Sequence, residues 1–307
     1  MKKNLTVHPR IPLPARNLTA LIQSLLKVHK NTALELIHDG MATVNGRTVR
    51  QPHYTLEPGD LLEVEYAPQP TAPPKRKASV REPFEIAYDD QYLMLVVKPA
   101  GLLTVPTPKR ERNTLLGGIN RWLEREQPGK IACCVHRLDR GVSGLLVFAK
   151  SPDIAEMLRN QFADRKPERK YTAFTAGSIR QDRGTFRSYL ATDDALNRYS
   201  TDDPEKGELA ITHYEVRERF NDVTLVSVRL ETGRRNQIRV HFAEAGHPLI
   251  GETRYRTEQA AHRAWNYPRI ALHAESLAFD HPITGERLQY VAPWPQEFRD
   301  FRRKFTR

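Results

Sequence analysis

Residues 136–144 read His136-Arg137-Leu138-Asp139-Arg140-Gly141-Val142-Ser143-Gly144. One carboxylate lies there between two arginines, in a glycine-flanked segment just ahead of the apolar stretch 145–149. Guanidinium neighbours favour the charged form of a carboxylate, and a buried, paired carboxylate can act as a nucleophile. Taken alone, the run favours a structural ion pair over a nucleophile. A second candidate is Tyr171, which follows Arg169 and Lys170 into a β-like stretch. Its ring could stack on a base, or its hydroxyl could move a proton. A core tyrosine opening a strand is the simpler reading of that segment by itself. The third is Thr232-Gly233-Arg234-Arg235-Asn236-Gln237-Ile238-Arg239-Val240-His241. Gly233 ends a strand, Asn236 can begin a helix, and Arg235 and Arg239 stand four apart on one helix face. Helix-start amides beside several guanidinium groups make a phosphate site; a solvated basic helix fits the same residues.

Other chemistries find less footing. Ser143 sits in Gly-Val-Ser-Gly, off the GxSxG spacing of a serine hydrolase elbow. Neither GxxxxGK[ST] nor GxGxxG occurs, so no nucleotide cofactor is expected. The 11 histidines are scattered, without HExxH or paired Cys/His spacing, so no metal is expected either. The 2 cysteines, Cys133 and Cys134, are adjacent; they read as small buried residues of a reducing compartment, and the expected location is cytoplasmic. No apolar run approaches the roughly 20 residues of a spanning helix, and no apolar stretch follows the basic Met1-Lys2-Lys3 as in a signal peptide. With 48 Lys and Arg against 37 Asp and Glu, the net charge is +11. That excess favours a polyanion such as nucleic acid or an anionic surface. No motif argues for self-association, and a monomer is expected.

The elements that must hold these residues fall into two parts, as 307 residues allow. Residues 67–80, rich in Pro, Lys and Arg, read as a semi-extended linker. Ahead of it, residues 17–27 carry Leu18, Leu21, Ile22, Leu25 and Leu26 on one helical face. A second helix is predicted over 32–38, with Asn31 as its cap and Asp39-Gly40 as its end. Asn45-Gly46 between β-branched residues predicts a hairpin, and a strand follows over 61–66. Beyond the linker, residues 92–97, 145–149, 171–175 and 224–230 read as strands. Helices are predicted over 114–125, from Ser151-Pro152 onward, and over 236–245 up to Gly246. The larger part is thus an α+β domain with a largely antiparallel mixed sheet, rather than a βαβ series.

Taken together, the segments resemble the RluA-type family of pseudouridine synthases over residues 84–300. They stand in the family's order: VVKPAGL at 96–102, HRLDRGVSGLLVFAKS at 136–151, RKYTAF at 169–174, AITHY at 210–214, LETGRRNQIRVHFAEAGHPLIGE at 230–252, LHAESLAFDHPITGE at 272–286 and APWP at 292–295. Residues 12–66 resemble, more loosely, the small α/β RNA-binding domain first known from ribosomal protein S4. The resemblance implies domains at 12–66 and 81–307, an RNA substrate and a cofactor-free isomerisation of uridine to pseudouridine. It implies Asp139 as nucleophile, Arg239 as its ionic partner, and Tyr171 as the residue that stacks on the target uracil. Arg137 would contact RNA as the nucleotide leaves its stack, and Ile238 would line the pocket. His136, Lys170, Arg234, Asn236 and Gln237 are further candidates for substrate contact. Lys27, Lys30, Arg47 and Arg50 are candidate phosphate contacts of the small domain, whose presence favours ribosomal over transfer RNA. The chain departs from the family's pattern at Val142, usually Thr; at Asn236, usually His; and at Glu252, usually Asp. The alternatives are a non-catalytic RNA-binding factor that kept the fold, and a hydrolase using Ser143.

Overall fold

A computed structural model describes residues 2–7, 16–26, 28, 30–65 and 82–305. The predicted linker over 67–80 lies outside the described residues, as does Lys27. The chain divides into two compact units, 1–77 and 78–307.

In the first unit, β1 (Lys2–Thr6), α1 (Leu18–Leu26), α2 (Lys30–His38), β2 (Ala42–Val44), β3 (Arg47–Thr48) and β4 (Leu61–Glu65) follow one another. The sheet runs β1-β4-β2-β3 and all its pairs are antiparallel. Asn45 and Gly46 both take positive φ, as the two-residue turn between β2 and β3 requires. Leu18, Leu21, Ile22 and Leu26 bury the helical stripe against Val44, Leu62 and Val64. A unit starting at residue 12 would omit β1, which pairs with β4 along its whole length. Its Lys-Lys-Asn-Leu-Thr sequence carries little strand propensity, and pairing with β4 decides its conformation.

The second unit contains β5 (Glu85–Asp89), β6 (Leu93–Lys98), α3 (Leu115–Glu126), β7 (Cys133–Cys134), β8 (Ser143–Ala149), α4 (Pro152–Ala163), β9 (Glu168–Ala176), β10 (Arg183–Thr192), β11 (Arg198–Thr201), β12 (Glu208–Arg219), β13 (Val223–Leu230), α5 (Gln237–Glu244), α6 (Thr257–Ala260), β14 (Leu272–Asp280), β15 (Arg287–Val291) and α7 (Gln296–Arg303). One sheet holds all these strands, along the path β11-β10-β12-β13-β9-β14-β8-β6-β5, with β15 beside β14 and β7 beside β8. Every pair is antiparallel except β8 with β14. The fold is α+β with a largely antiparallel mixed sheet, as expected. Thr114 and Ser151 cap α3 and α4 through their hydroxyls, and Pro152 opens α4.

The chain's last long strand, β14, lies between β9 and β8 and so joins the two halves of the sheet. At that junction Gly144 (φ +122) lies against Ala274, where an added Cβ would overlap the Ala274 carbonyl. A residue with a side chain cannot let these two backbones approach so closely.

Candidate active site

Asp139 sits in the loop between β7 and β8, and a second loop, over 98–104, clamps it. Leu138 is buried; its carbonyl accepts from Thr104 Oγ1 at 2.7 Å, and its N–H donates back at 3.2 Å. The Gly101 N–H donates to the Arg140 carbonyl at 2.7 Å, while Arg140 Nε donates to the Gly101 carbonyl at 3.0 Å. Lys98, at the end of β6, is 0% exposed. Its Nζ donates to the carbonyls of Leu102 (2.8 Å), Pro99 (3.0 Å) and Arg140 (3.4 Å). Burial pushes the Lys98 ammonium down to about 7; the Arg269 charge adds to this and Asp139 opposes it. Lys98 follows directly on the strand predicted over 92–97. Its only local signal is a lysine closing an apolar run, and the carbonyl from residue 140 that helps bury it lies far along the chain.

Arg239, on α5, meets the carboxylate from the opposite half of the sheet. Its Nη1 is 3.0 Å from Asp139 Oδ2. Its Nε and Nη2 donate to the two oxygens of Glu252 at 2.7 and 2.6 Å, a bidentate geometry that fixes the guanidinium plane. The Glu252 carboxylate is fully buried and also accepts from the N–H groups of Thr253 and Arg254. The Arg239 guanidinium lies over the Tyr255 ring at 5.4 Å. Burial opposes the Arg239 charge, but Glu252 and then Asp139 outweigh it and hold the guanidinium above its usual range.

Asn236 stands at the start of α5, at the position just before Gln237. It takes a left-handed conformation (φ 59) and its side chain makes no cap. Asn tolerates that conformation, and its short amide accepts from Arg239 Nη1 at 3.0 Å while donating to the Tyr255 hydroxyl at 2.9 Å. Arg235 therefore precedes α5 and does not share a helical face with Arg239.

These groups open onto a pocket of about 130 Å³, lined among others by Arg137, Asp139, Tyr171, Arg234, Ile238 and Arg239. Tyr171 is 7% exposed. Burial pushes its phenol up; Arg169 opposes this and Asp139 adds to it. Arg137 is exposed at the rim. Arg234 is tied to Glu208 at 2.7 Å and to the Leu209 carbonyl. Gln237 lines the pocket, but its amide is consumed internally by Thr232, Arg234, Ile211 and Thr212.

Two candidates lie elsewhere. His136 Nε2 accepts from the Val147 N–H at 3.2 Å, and its ring stacks on Phe162 at 4.6 Å. Burial, then Arg169, pushes that imidazole down to about 3. Lys170 projects from the other face of β9, into a groove of about 610 Å³ shared with Arg183, His213 and Arg229. Strand alternation decides this: with Tyr171 facing the pocket, Lys170 must face away. In the first unit, Arg50 Nη1 binds the His38 carbonyl at the end of α2, and Arg47 is exposed. Lys30 opens α2. Ser143 is 4% exposed, its hydroxyl is hydrogen-bonded to His273 Nδ1 at 2.8 Å and it accepts from Arg269 at 2.7 Å. A hydroxyl so enclosed does not present a nucleophile to substrate. No cluster of three metal-ligating side chains occurs among the described residues, and no described helix is long and apolar enough to cross a membrane.

At the centre of one mixed sheet, a carboxylate loop, a buried tyrosine of β9 and an arginine of α5 meet in a single pocket. A family model, RNA pseudouridylate synthase, matches residues 92–244. The chain is 38% identical over 273 residues to the uncharacterized RNA pseudouridine synthase YlyB of Bacillus subtilis, covering 85% of this chain and 84% of that one. It is 33% identical over 296 residues to ribosomal large subunit pseudouridine synthase D of Pseudomonas aeruginosa, covering 93% and 91%. The chain belongs to the RNA pseudouridine synthase family. Human RNA pseudouridylate synthase domain containing 4 shares the fold, with a TM-score of 0.62 at 21% identity over 72% of this chain and 93% of that one.

Proposed function

We propose that this enzyme converts uridines of structured ribosomal RNA to pseudouridine, using Asp139 on a nucleotide turned out of its stack. The observation that carries this reading is the Asp139–Arg239 pair at 3.0 Å, beside Tyr171 in one pocket. The volume of about 130 Å³ is below the roughly 300–1,000 Å³ of drug-sized sites; it suits one planar base entering from the rim.

In the reaction the bond between ribose C1′ and uracil N1 breaks, and the base turns. A bond then forms between C1′ and C5, C5 loses its proton and N1 gains one. Atoms and electrons balance within the nucleotide, so no cofactor is called for. Asp139, paired with Arg239 at 3.0 Å, promotes glycosidic cleavage. Tyr171 stacks on the uracil, and burial keeps its phenol protonated. Ile238 forms an apolar wall. Arg137 and Arg234 contact the displaced nucleotide, whose unstacking costs a few kcal/mol. The name of the Pseudomonas aeruginosa relative favours large-subunit ribosomal RNA. The small unit adds RNA affinity of the S4-like kind through Lys27, Lys30, Arg47 and Arg50, and binding weakens as salt rises.

The test is pseudouridine formation in ribosomal RNA from a strain lacking the gene. Wild-type enzyme forms product; Asp139→Asn binds the RNA and forms none. Turnover by Asp139→Asn would mean that another group does this chemistry.

A further inference from the structure

Leu196 is a large apolar side chain left 62% exposed. Single exposed leucines are common and need no function. Three features set this one apart. It sits in the turn between β10 and β11 with φ +63, a left-handed conformation uncommon for a non-glycine residue. The turn around it is rigid: the Leu196 and Asn197 N–H groups donate to the Asp193 carbonyl and carboxylate at 2.9 and 2.7 Å. The Asp193 N–H returns to the Asn197 carbonyl at 2.9 Å. The Leu196 carbonyl is also anchored to the active site. It accepts from Arg235 Nη2 at 2.9 Å and from Arg254 Nη1 at 3.3 Å.

Arg235 lines the pocket, and Arg254 donates its N–H to Glu252, the carboxylate that holds Arg239. A further tie runs from the Arg198 N–H to the Tyr255 hydroxyl at 3.2 Å, beneath the same guanidinium. The hairpin end is therefore fixed to both segments that build the site, and it holds an apolar side chain in water beside them.

We propose that Leu196 is a wedge that enters the RNA stack where the target uridine has left it. This rests on the reading of the pocket as a site for a turned-out base. A base withdrawn from a stack leaves a gap between its neighbours, and apolar side chains, leucine among them, fill such gaps between base steps. Arg235 and Arg254, both at the foot of the turn, suit the phosphates flanking the gap. The turn thus holds a leucine of left-handed conformation in water, its carbonyl anchored to Arg235 of the pocket lining.

The experiment uses full-length enzyme and the RNA segment that wild type converts. The segment is prepared once as a folded hairpin and once as a short unpaired oligonucleotide, each with 2-aminopurine beside the target uridine. Leu196→Ala is expected to lower the single-turnover rate on the hairpin by about tenfold or more, with a smaller rise in 2-aminopurine fluorescence. On the unpaired oligonucleotide it should match wild type, and Leu196→Met should restore the hairpin rate. A Leu196→Ala rate equal to wild type on the hairpin, or an equal loss on both RNAs, overturns the wedge. If wild type forms no pseudouridine in any cellular RNA, the reading of the pocket falls first.

Discussion

Asp139 and Glu252 share one guanidinium. Arg239 presents Nη1 to Asp139 at 3.0 Å and the Nε–Nη2 edge to Glu252 at 2.7 and 2.6 Å. The second contact is bidentate and fully buried, whereas Asp139 receives a single bond at a partly open site. Glu252 thus fixes the arginine, and the arginine in turn orients the Asp139 carboxylate.

Arg239→Lys tests that division. A lysine ammonium cannot span both carboxylates in one plane. The expected result is a fall in kcat on the order of 10²-fold, the scale of an ångström of misplacement, with KM nearly unchanged. Steady-state kinetics on a ribosomal RNA segment would measure it; a change confined to KM would assign Arg239 to RNA binding instead.

Glu252→Ala should act on the fold as well. It removes both bonds to the Nε–Nη2 edge of Arg239 and leaves Asp139 as its ionic partner; breaking a buried pair in this way costs about 3–5 kcal/mol. Glu252→Gln, which keeps an acceptor, should lose less. Denaturant titration of both variants gives the comparison.

Lys98 predicts a pH effect on stability. Its folded value is about 7, below the ordinary 10.5, so between those values the unfolded chain binds the extra proton. Stability contributed at this site therefore falls as pH drops from about 10 to about 7, and is flat below that. Relative to Lys98→Met, wild type should gain stability with rising pH in that window, by at most ~1.4 kcal/mol per unit. A constant difference between the two proteins from pH 7 to 10 would refute the assignment.

Gly144→Ala should be among the most damaging small substitutions in the chain. The added methyl would overlap the Ala274 carbonyl at the β8–β14 junction and would also strain a φ of +122. A loss of several kcal/mol is expected, read from the midpoint of chemical unfolding.

Local chemistry made much of this legible in advance. Thr114, Ser151-Pro152 and Asn45-Gly46 each act within three or four residues, and each marks its element where the sequence places it. The ordered motifs brought Asp139, Tyr171 and Arg239 together across 100 residues. Contacts between distant segments were less visible. Tyr255 lies in an irregular stretch without periodicity, yet it supports Arg239 from below. The burial of Lys98 had little local signal, because three backbone carbonyls, one of them 42 residues away, supply its bonds. Asn236 does begin α5, but Arg239 and Tyr255 take its amide, so its side chain makes no cap bond. Lys170 was misplaced although the signal was present: a period of two already assigned it to the face opposite Tyr171.

The place of β14 has a consequence for how the molecule comes into being. Asp139 belongs to the half of the sheet made first and Arg239 to the half made later, and the strand over 272–280 inserts between β8 and β9. During synthesis neither half can close its sheet on the other until that strand has left the ribosome. Such late, long-range pairing is slow and leaves strand edges open meanwhile. The carboxylate and its arginine are thus kept apart until almost the whole chain exists, and a nascent chain stopped before residue 272 should carry every catalytic side chain and no activity.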